Sequence, residues 1–223
     1  MNYIIGADKF VSEQIKDMKY TDKPKTWKVS DNITIGWDDI LPDPPMNDSE
    51  TTKKELAYLA KLTKSVSSAQ LDLIKLVDEE PNDLFHKTMR DLNIEFPQEI
   101  FKRSWDIIKP VIMNLKYIHN RPRTYQIAGK YGLKITLRDS KTAQTPAYPS
   151  GHTSYTALSA YILAAKYPQF AEHFFDKIQS AGMARMLMGV HYPSDNEASM
   201  IITGALWEDI RYKLFPELPN FRS

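Results

Sequence analysis

The chain has 223 residues, with 29 Lys and Arg against 28 Asp and Glu, a formal charge of +1, and no cysteine. This balance excludes a polybasic nucleic-acid coat, an acidic tail protein and a highly charged disordered chain, and the missing thiols exclude disulfides, zinc–thiolate sites and cysteine nucleophiles. An apolar content of 42% is enough for one sizeable core, so a single domain over residues 1–223 is expected.

Residues 1–50 read as an irregular arm that wraps a helical core at 51–223. The start, Met1 to Lys9, lacks a basic segment followed by an apolar run and does not read as a secretory leader. A cytoplasmic location is therefore expected, or a periplasmic or secreted one had a leader been removed. Lys23-Pro24-Lys25 and Leu41 to Pro45 break any regular element. Between them, Trp27–Val29 and Ile33–Trp37 flank Ser30-Asp31-Asn32 in the pattern of a small hairpin.

From Asp48-Ser49-Glu50 one long helical pattern runs to Glu80-Pro81, with Leu56, Leu59, Leu62 or Thr63, Val66 and Leu73 at helical spacing. A second helix fits Asn82 to Leu92. A third fits Pro97 to Ile118, with Phe101, Trp105, Ile108, Ile112 and Leu115 on one face and a kink expected at Pro110. Residues 120–149 carry no strong period and read as a long loop, a length that compact domains usually reserve for function. Helices resume over 150–166, 170–189 and 193–215. The uncharged stretch from Thr142 to Ala165 holds two prolines and many hydroxyls, and its apolar part is shorter than the ~20 residues a bilayer needs. The sum is an all-α helical bundle with a loop-rich mouth.

Cations stand where apolar residues belong. On the 170–189 helix the stripe is Phe174, Ile178, Ala181 and Met188, and Arg185 falls on it. On the 97–118 helix Lys116 lies four after Ile112, beside the apolar face. Such a cation either snorkels, pairs with an internal carboxylate, or meets a bound anion. Asn120-Arg121-Pro122-Arg123 adds two guanidiniums, whose planar forks match phosphate oxygens. Pro149-Ser150-Gly151-His152 opens the next helix, with Ser150 at the N-cap and Gly151 allowing close backbone approach. That segment is either a simple helix start or an anion seat at a positive dipole end. His191 and Asp195 bracket the start of the last helix. They are either surface groups or an oriented imidazole.

In order, these clusters resemble the signature of the type 2 phosphatidic acid phosphatase (PAP2) superfamily, which includes class A nonspecific acid phosphatases and vanadium haloperoxidases. The signature reads Lys-x6-Arg-Pro, Pro-Ser-Gly-His, and Ser-Arg-x5-His-x3-Asp. Here Lys116 to Arg123, Pro149 to His152, and Arg185-x5-His191-x3-Asp195 match it, while Thr124 replaces a Pro and Ala184 replaces a Ser. The resemblance implies a PAP2/haloperoxidase-type bundle and a metal-independent, vanadate-inhibited phosphatase acting on phosphate monoesters. It implies that His191 is the nucleophile forming a phosphohistidine, that Asp195 orients it, and that His152 is the acid and base. Lys116, Arg123, Ser150, Gly151 and Arg185 would bind the phosphate, and no metal or other cofactor is called for. Arg121 matches no position and is left either at the pocket rim or outside it.

Two rivals stand beside this reading. A vanadium haloperoxidase uses the same site with vanadate as cofactor, but such chains are usually much longer. A non-catalytic phosphate-binding module would not need both histidines and Asp195. The expected partner is a small phosphorylated substrate, with no nucleic acid and no membrane span; a homo-oligomer stays open. Tyr125 and Tyr148 are candidate contacts for its leaving group, or ordinary packing residues. The +1 charge conceals a local excess, because residues 101–138 carry nine basic residues against Asp106 alone.

Overall fold

The computed structural model describes residues 26–37, 40–140 and 142–218. The first part of the arm, with Lys23-Pro24-Lys25 and the start at Met1, lies outside the described residues. The helices are α1 (Glu50–Leu62), α2 (Ser68–Glu79), α3 (Asp83–Asp91), α4 (Gln98–His119), the short α5 (Thr124–Ile127), α6 (Gly151–Lys166), α7 (Ala171–Leu187) and α8 (Pro193–Leu214). Single 3₁₀ turns follow α5 at Ala128–Tyr131 and precede α7 at Pro168–Phe170. No strand occurs among the described residues, and none of their helices is long and apolar enough to cross a membrane.

Most of the uncharged stretch of the sequence becomes α6, the helix that α4, α7 and α8 pack around. A helix that is apolar or small on every side belongs inside a core. Tyr155, Leu158, Ile162 and Leu163 fill space there, while Ala157, Ala160 and Ala164 let neighbouring helices approach. The α7 stripe is buried as its spacing requires, from Phe174 through Arg185 to Met188. The α4 stripe departs at Trp105, which is 45% exposed at the edge of a cleft. Helix α4 runs on through Pro110 as one element.

Three expectations are corrected. The long pattern over 50–80 is two helices. Thr63 donates its hydroxyl to Leu59 O at the end of α1, and Ser67 with Gln70 builds a capping box that starts α2 afresh. The loop over 120–149 holds a helical turn and a 3₁₀ turn at its start. The hairpin does not form. Ile33 N–H reaches Ser30 O, which closes a turn, but the two limbs then bond to helices instead of each other. Trp27 exchanges both main-chain groups with the Asn114 amide on α4, and Thr34 gives its N–H and hydroxyl to Asp209 on α8.

The five-residue α7–α8 connection decides where the site lies. Val190 N–H reaches Arg185 O and Gly189 N–H reaches Met186 O, the paired bonds of a Schellman end. Gly189 sits at φ +78°, the left-handed conformation this end needs. Four residues after Gly189, Pro193 starts α8, and the Asp195 carboxylate accepts the Tyr192 N–H at 3.0 Å. His191 is thereby clamped between a helix end and a helix start. A Cβ at Gly189 would stand 2.6 Å from Ile135 Cγ2 and 3.2 Å from Thr136 O. Gly189→Ala is therefore expected to destabilise the fold by about 2 kcal/mol or more and lower Tm by roughly 4–8 °C. Thermal unfolding followed by circular dichroism checks this; an unchanged Tm contradicts it.

Candidate active site

Lys116 leaves the last turn of α4, and Arg123 immediately precedes α5. Gly151 and His152 form the first turn of α6, Arg185 the last turn of α7, and His191 the connection after it. All six line one cleft of about 780 Å³. Lys116, Arg123, Arg185 and His191 are each no more than 4% exposed, so bulk water does little to neutralise them.

The three long cations are held in place chiefly by neutral acceptors. Lys116 Nζ donates to Pro146 O at 2.6 Å and to Ala147 O at 3.2 Å. Arg123 donates through Nε to Thr145 O at 2.8 Å and through Nη1 to Val190 O at 2.9 Å. Arg185 has a carboxylate partner, with Nη1 2.5 Å from Asp78 Oδ1, and Nη2 reaches the hydroxyls of Ser140 and Thr142 at 3.3 Å. Its Nε is buried with no hydrogen-bond partner among the described residues. A buried donor left over beside two more cations is the mark of a site that expects an anion.

The same crowding shows in protonation. Burial, with Arg123 and Arg185 nearby, pushes the Lys116 ammonium well below its usual value, against the pull of Asp195. Burial and Arg185 push His152 well below the usual histidine value, with Asp78 pulling the other way. Burial, then Arg123, Lys116 and Arg185, do the same to His191. Asp78 is desolvated by burial, yet the hydrogen bonds from Ser140 and Arg185 hold its carboxyl below the usual range.

His191 has a defined tautomer. Its Nδ1 lies 2.9 Å from Asp195 Oδ2, so Nδ1 carries the proton and Nε2 the lone pair. Arg123 Nη1 donates to that Nε2 at 2.8 Å. Asp195 is fully buried and saturated, because its Oδ1 accepts from Arg121 Nη1 at 2.7 Å. A neutral imidazole with an oriented lone pair, beside three buried cations and a second imidazole, is equipped to attack a tetrahedral anion.

The structure brings Lys116, Arg123, Gly151, His152, Arg185 and His191 together, with Asp195 directly behind His191. Ser150 stands one layer back: its hydroxyl pairs with Thr153 Oγ1 at 2.9 Å and does not cap α6. Its N–H donates to Asp195 O, so it ties α6 to α8. Both departures from the family signature have a place. The Thr124 hydroxyl donates to Gly189 O, linking the first cluster to the third. Ala184 is buried in the main core. Tyr148 does not touch the cleft; it is buried, and its hydroxyl donates to Pro42 O at 2.5 Å. Tyr125 packs half-buried against the cluster of Ile74, Ala143, Leu187, Met188 and Val190. The apolar contacts of the cleft come from Trp27, Phe101, Trp105 and Tyr155 instead.

Sequence reasoning missed two acids and left Arg121 between the pocket rim and outside it; the structure buries it behind Asp195, outside the cleft lining. Arg121 is 2% exposed, lies 3.7 Å over the Tyr192 ring, and bridges Asp195 to Glu55 Oε2 at 3.0 Å. Asp195 and Glu55 hold its guanidinium above its usual value despite burial. Glu55 also accepts the Ser194 N–H at 2.7 Å. Glu55 and Asp78 carry the signal that revealed the cations. Each stands on an apolar helical face, Glu55 three after the buried Thr52 and four before Leu59, and Asp78 four after Ile74.

Residues 106–215 match the PAP2 superfamily. The chain is also similar to the non-specific acid phosphatase of Providencia stuartii, 29% identical over 89 residues, covering 39% of this chain and 34% of that protein. It is similar to the non-specific acid phosphatase of Salmonella typhi, 34% identical over 56 residues, covering 25% of this chain and 22% of that protein. The aligned stretches thus span only about a third and about a fifth of those phosphatases.

Removing Arg121 leaves the buried Glu55 and Asp195 without the cation they share. Arg121→Ala is expected to destabilise the protein by about 3–5 kcal/mol, read from urea unfolding. A loss below about 1 kcal/mol, the range of exposed pairs, contradicts the buried bridge.

Proposed function

We propose that this chain, a member of the PAP2 superfamily over residues 106–215, hydrolyses phosphate monoesters through a phosphohistidine on His191, without a metal ion or other cofactor. The observation that carries this reading is the His191 imidazole, fixed by Asp195 with its Nε2 lone pair in a cleft lined by Lys116, Arg123 and Arg185. The acid phosphatases it resembles support the same class of reaction.

The substrate phosphoryl enters as an anion and takes over donors from Lys116, Arg123 and Arg185. The Gly151 N–H at the start of α6 adds a dipole end. Arg123 then leaves His191 Nε2, which attacks phosphorus. A P–N bond forms and the ester P–O bond breaks. His152 gives its proton to the leaving alkoxide. The Nδ1–H of His191 stays on Asp195, which balances the charge the ring acquires. His152, now neutral, takes a proton from water as that water attacks phosphorus. The P–N bond breaks, and phosphate leaves. Phosphoryl transfer mainly requires positioning and charge stabilisation, and three fixed cations supply here what a divalent ion supplies elsewhere.

The protonation states give the pH dependence its sign. Burial and neighbouring cations depress both imidazoles, so both are neutral in the free site at neutral pH. Neutral His191 is the competent nucleophile and stays so below its usual pKa. Neutral His152 is the wrong form for the first step, so the proton must arrive with the substrate or be taken up on binding. The monoanionic ester, whose second pKa is about 6, carries that proton at low pH. The value of kcat/KM is thus expected to fall at least tenfold between about pH 5 and pH 8. A flat or rising profile contradicts the assignment of His152.

His191→Ala is expected to lower turnover of 4-nitrophenyl phosphate by at least about 10³-fold. His152→Ala should still form an acid-labile phosphoenzyme with this good leaving group. Hydrolysis should persist in excess EDTA and be inhibited by vanadate. Near wild-type turnover by His191→Ala, or activity abolished by EDTA and restored by Mg²⁺, overturns the mechanism. Peroxide-dependent bromination by the vanadate-loaded protein, without phosphatase activity, would assign it to the haloperoxidase branch.

A further inference from the structure

The cleft is far larger than a phosphoryl group, and its remaining wall is organised along α4. Lys102, Lys109 and Lys116 all line it, at spacings of seven residues. Seven residues are nearly two full turns, so the three side chains share one face, about 10 Å apart along the axis. Their burial is graded: Lys116 is buried at the cage, Lys109 half-buried, Lys102 exposed at the rim. Between the first two, the wall is apolar, formed by Ile108, Ile112, Met113 and Tyr155.

Lys109 is the unusual member. Its Nζ lies 5.1 Å from the ring centroids of both Trp27 and Trp105. Trp105 is braced edge-on by Tyr155 at 5.6 Å, and the Trp27 main chain is pinned by Asn114. Indole faces attract and orient an ammonium but do not neutralise it. No carboxylate forms an ion pair with Lys102 or Lys109 among the described residues. Glu79 is the acidic group that reaches the cleft beside Asp78, and Asp78 is committed to Arg185. An oriented, uncompensated cation thus faces the cleft one apolar span away from the phosphate cage.

We propose that Lys109, held between Trp27 and Trp105, forms a second anion subsite, and that the preferred substrates are phosphate monoesters of an extended apolar or aromatic alcohol bearing a second negative charge about 10 Å from the phosphorus. Lys102 extends the subsite toward solvent. The proposal rests on the phosphatase reading for its turnover assay, but not for its binding assay.

The test uses two rigid probes, biphenyl-4-yl phosphate and the same ester with a 4′-sulfonate. For the full chain, the sulfonate is expected to raise kcat/KM by about three- to tenfold at low salt, mostly through KM, and less at high salt. Lys109→Met should bring the ratio to near one, Lys109→Arg should retain it, and Lys109→Glu should invert it. A ratio near one in the wild type, or one that Lys109→Met leaves unaltered, overturns the subsite. Hydrolysis of 4-nitrophenyl phosphate by the wild type reports separately on the phosphatase reading. If that activity is absent, calorimetric titration with the matching biphenylmethyl phosphonates, with and without the sulfonate, still decides. Equal affinities for the two phosphonates refute the subsite, and tighter binding of the sulfonated one upholds it.

Discussion

Positive charge held almost out of water, with little counter-charge around it, is the constraint that the rest of this structure answers. Lys116, Arg123 and Arg185 enclose one region from three separate elements, each almost fully buried. A cation in such a place is costly unless hydrogen bonds or counter-charges surround it. The protein supplies hydrogen bonds generously and counter-charge sparingly. Main-chain carbonyls of residues 145–147 and 190 take the donors of Lys116 and Arg123, and a single carboxylate, Asp78, meets Arg185. Partial compensation keeps the fold intact while leaving a net field for an incoming anion.

Behind this region lies a second arrangement with the opposite balance. Arg121 is surrounded by Glu55 and Asp195 and capped by the Tyr192 ring. Here the charges are matched, and the group anchors rather than binds. Arg121 and Arg123 stand on either side of Pro122, yet they meet different surroundings. Arg123 serves the cleft, and Arg121 the foundation under Asp195. The partners each one meets, carbonyls for Arg123 and carboxylates for Arg121, give two guanidiniums of identical chemistry different duties.

The sequence made much of this legible because burial leaves periodic traces. The α7 stripe with Arg185 on it, the α4 stripe ending at Lys116, and the uncharged run that became α6 could all be read from spacing alone. Glu55 and Asp78 escaped because attention to cations was not matched by the same test on acids, although both stand on apolar faces. The break between α1 and α2 was written in Ser67 and Gln70 but masked by leucine periodicity on either side. The hairpin failed for a different reason. Local pattern proposes a pairing, but the Asn114 amide and the Asp209 carboxylate, distant in sequence, offered the limbs better partners. The cleft wall could not be read at all, since the meeting of Trp27 with Lys109 depends on how the arm crosses α4.

The contact between Arg123 and His191 Nε2 has a bearing on chemical safety. An exposed imidazole lone pair is a general nucleophile that would react with many uncharged electrophiles in a cell. Here the lone pair is occupied by a guanidinium donor until something negative draws that donor aside. In the proposed mechanism a neutral acylating or alkylating agent has no means of doing so, whereas a phosphoryl group displaces the guard by the charge that makes it a reactant. Under that mechanism, reactivity is released by the same property that serves recognition.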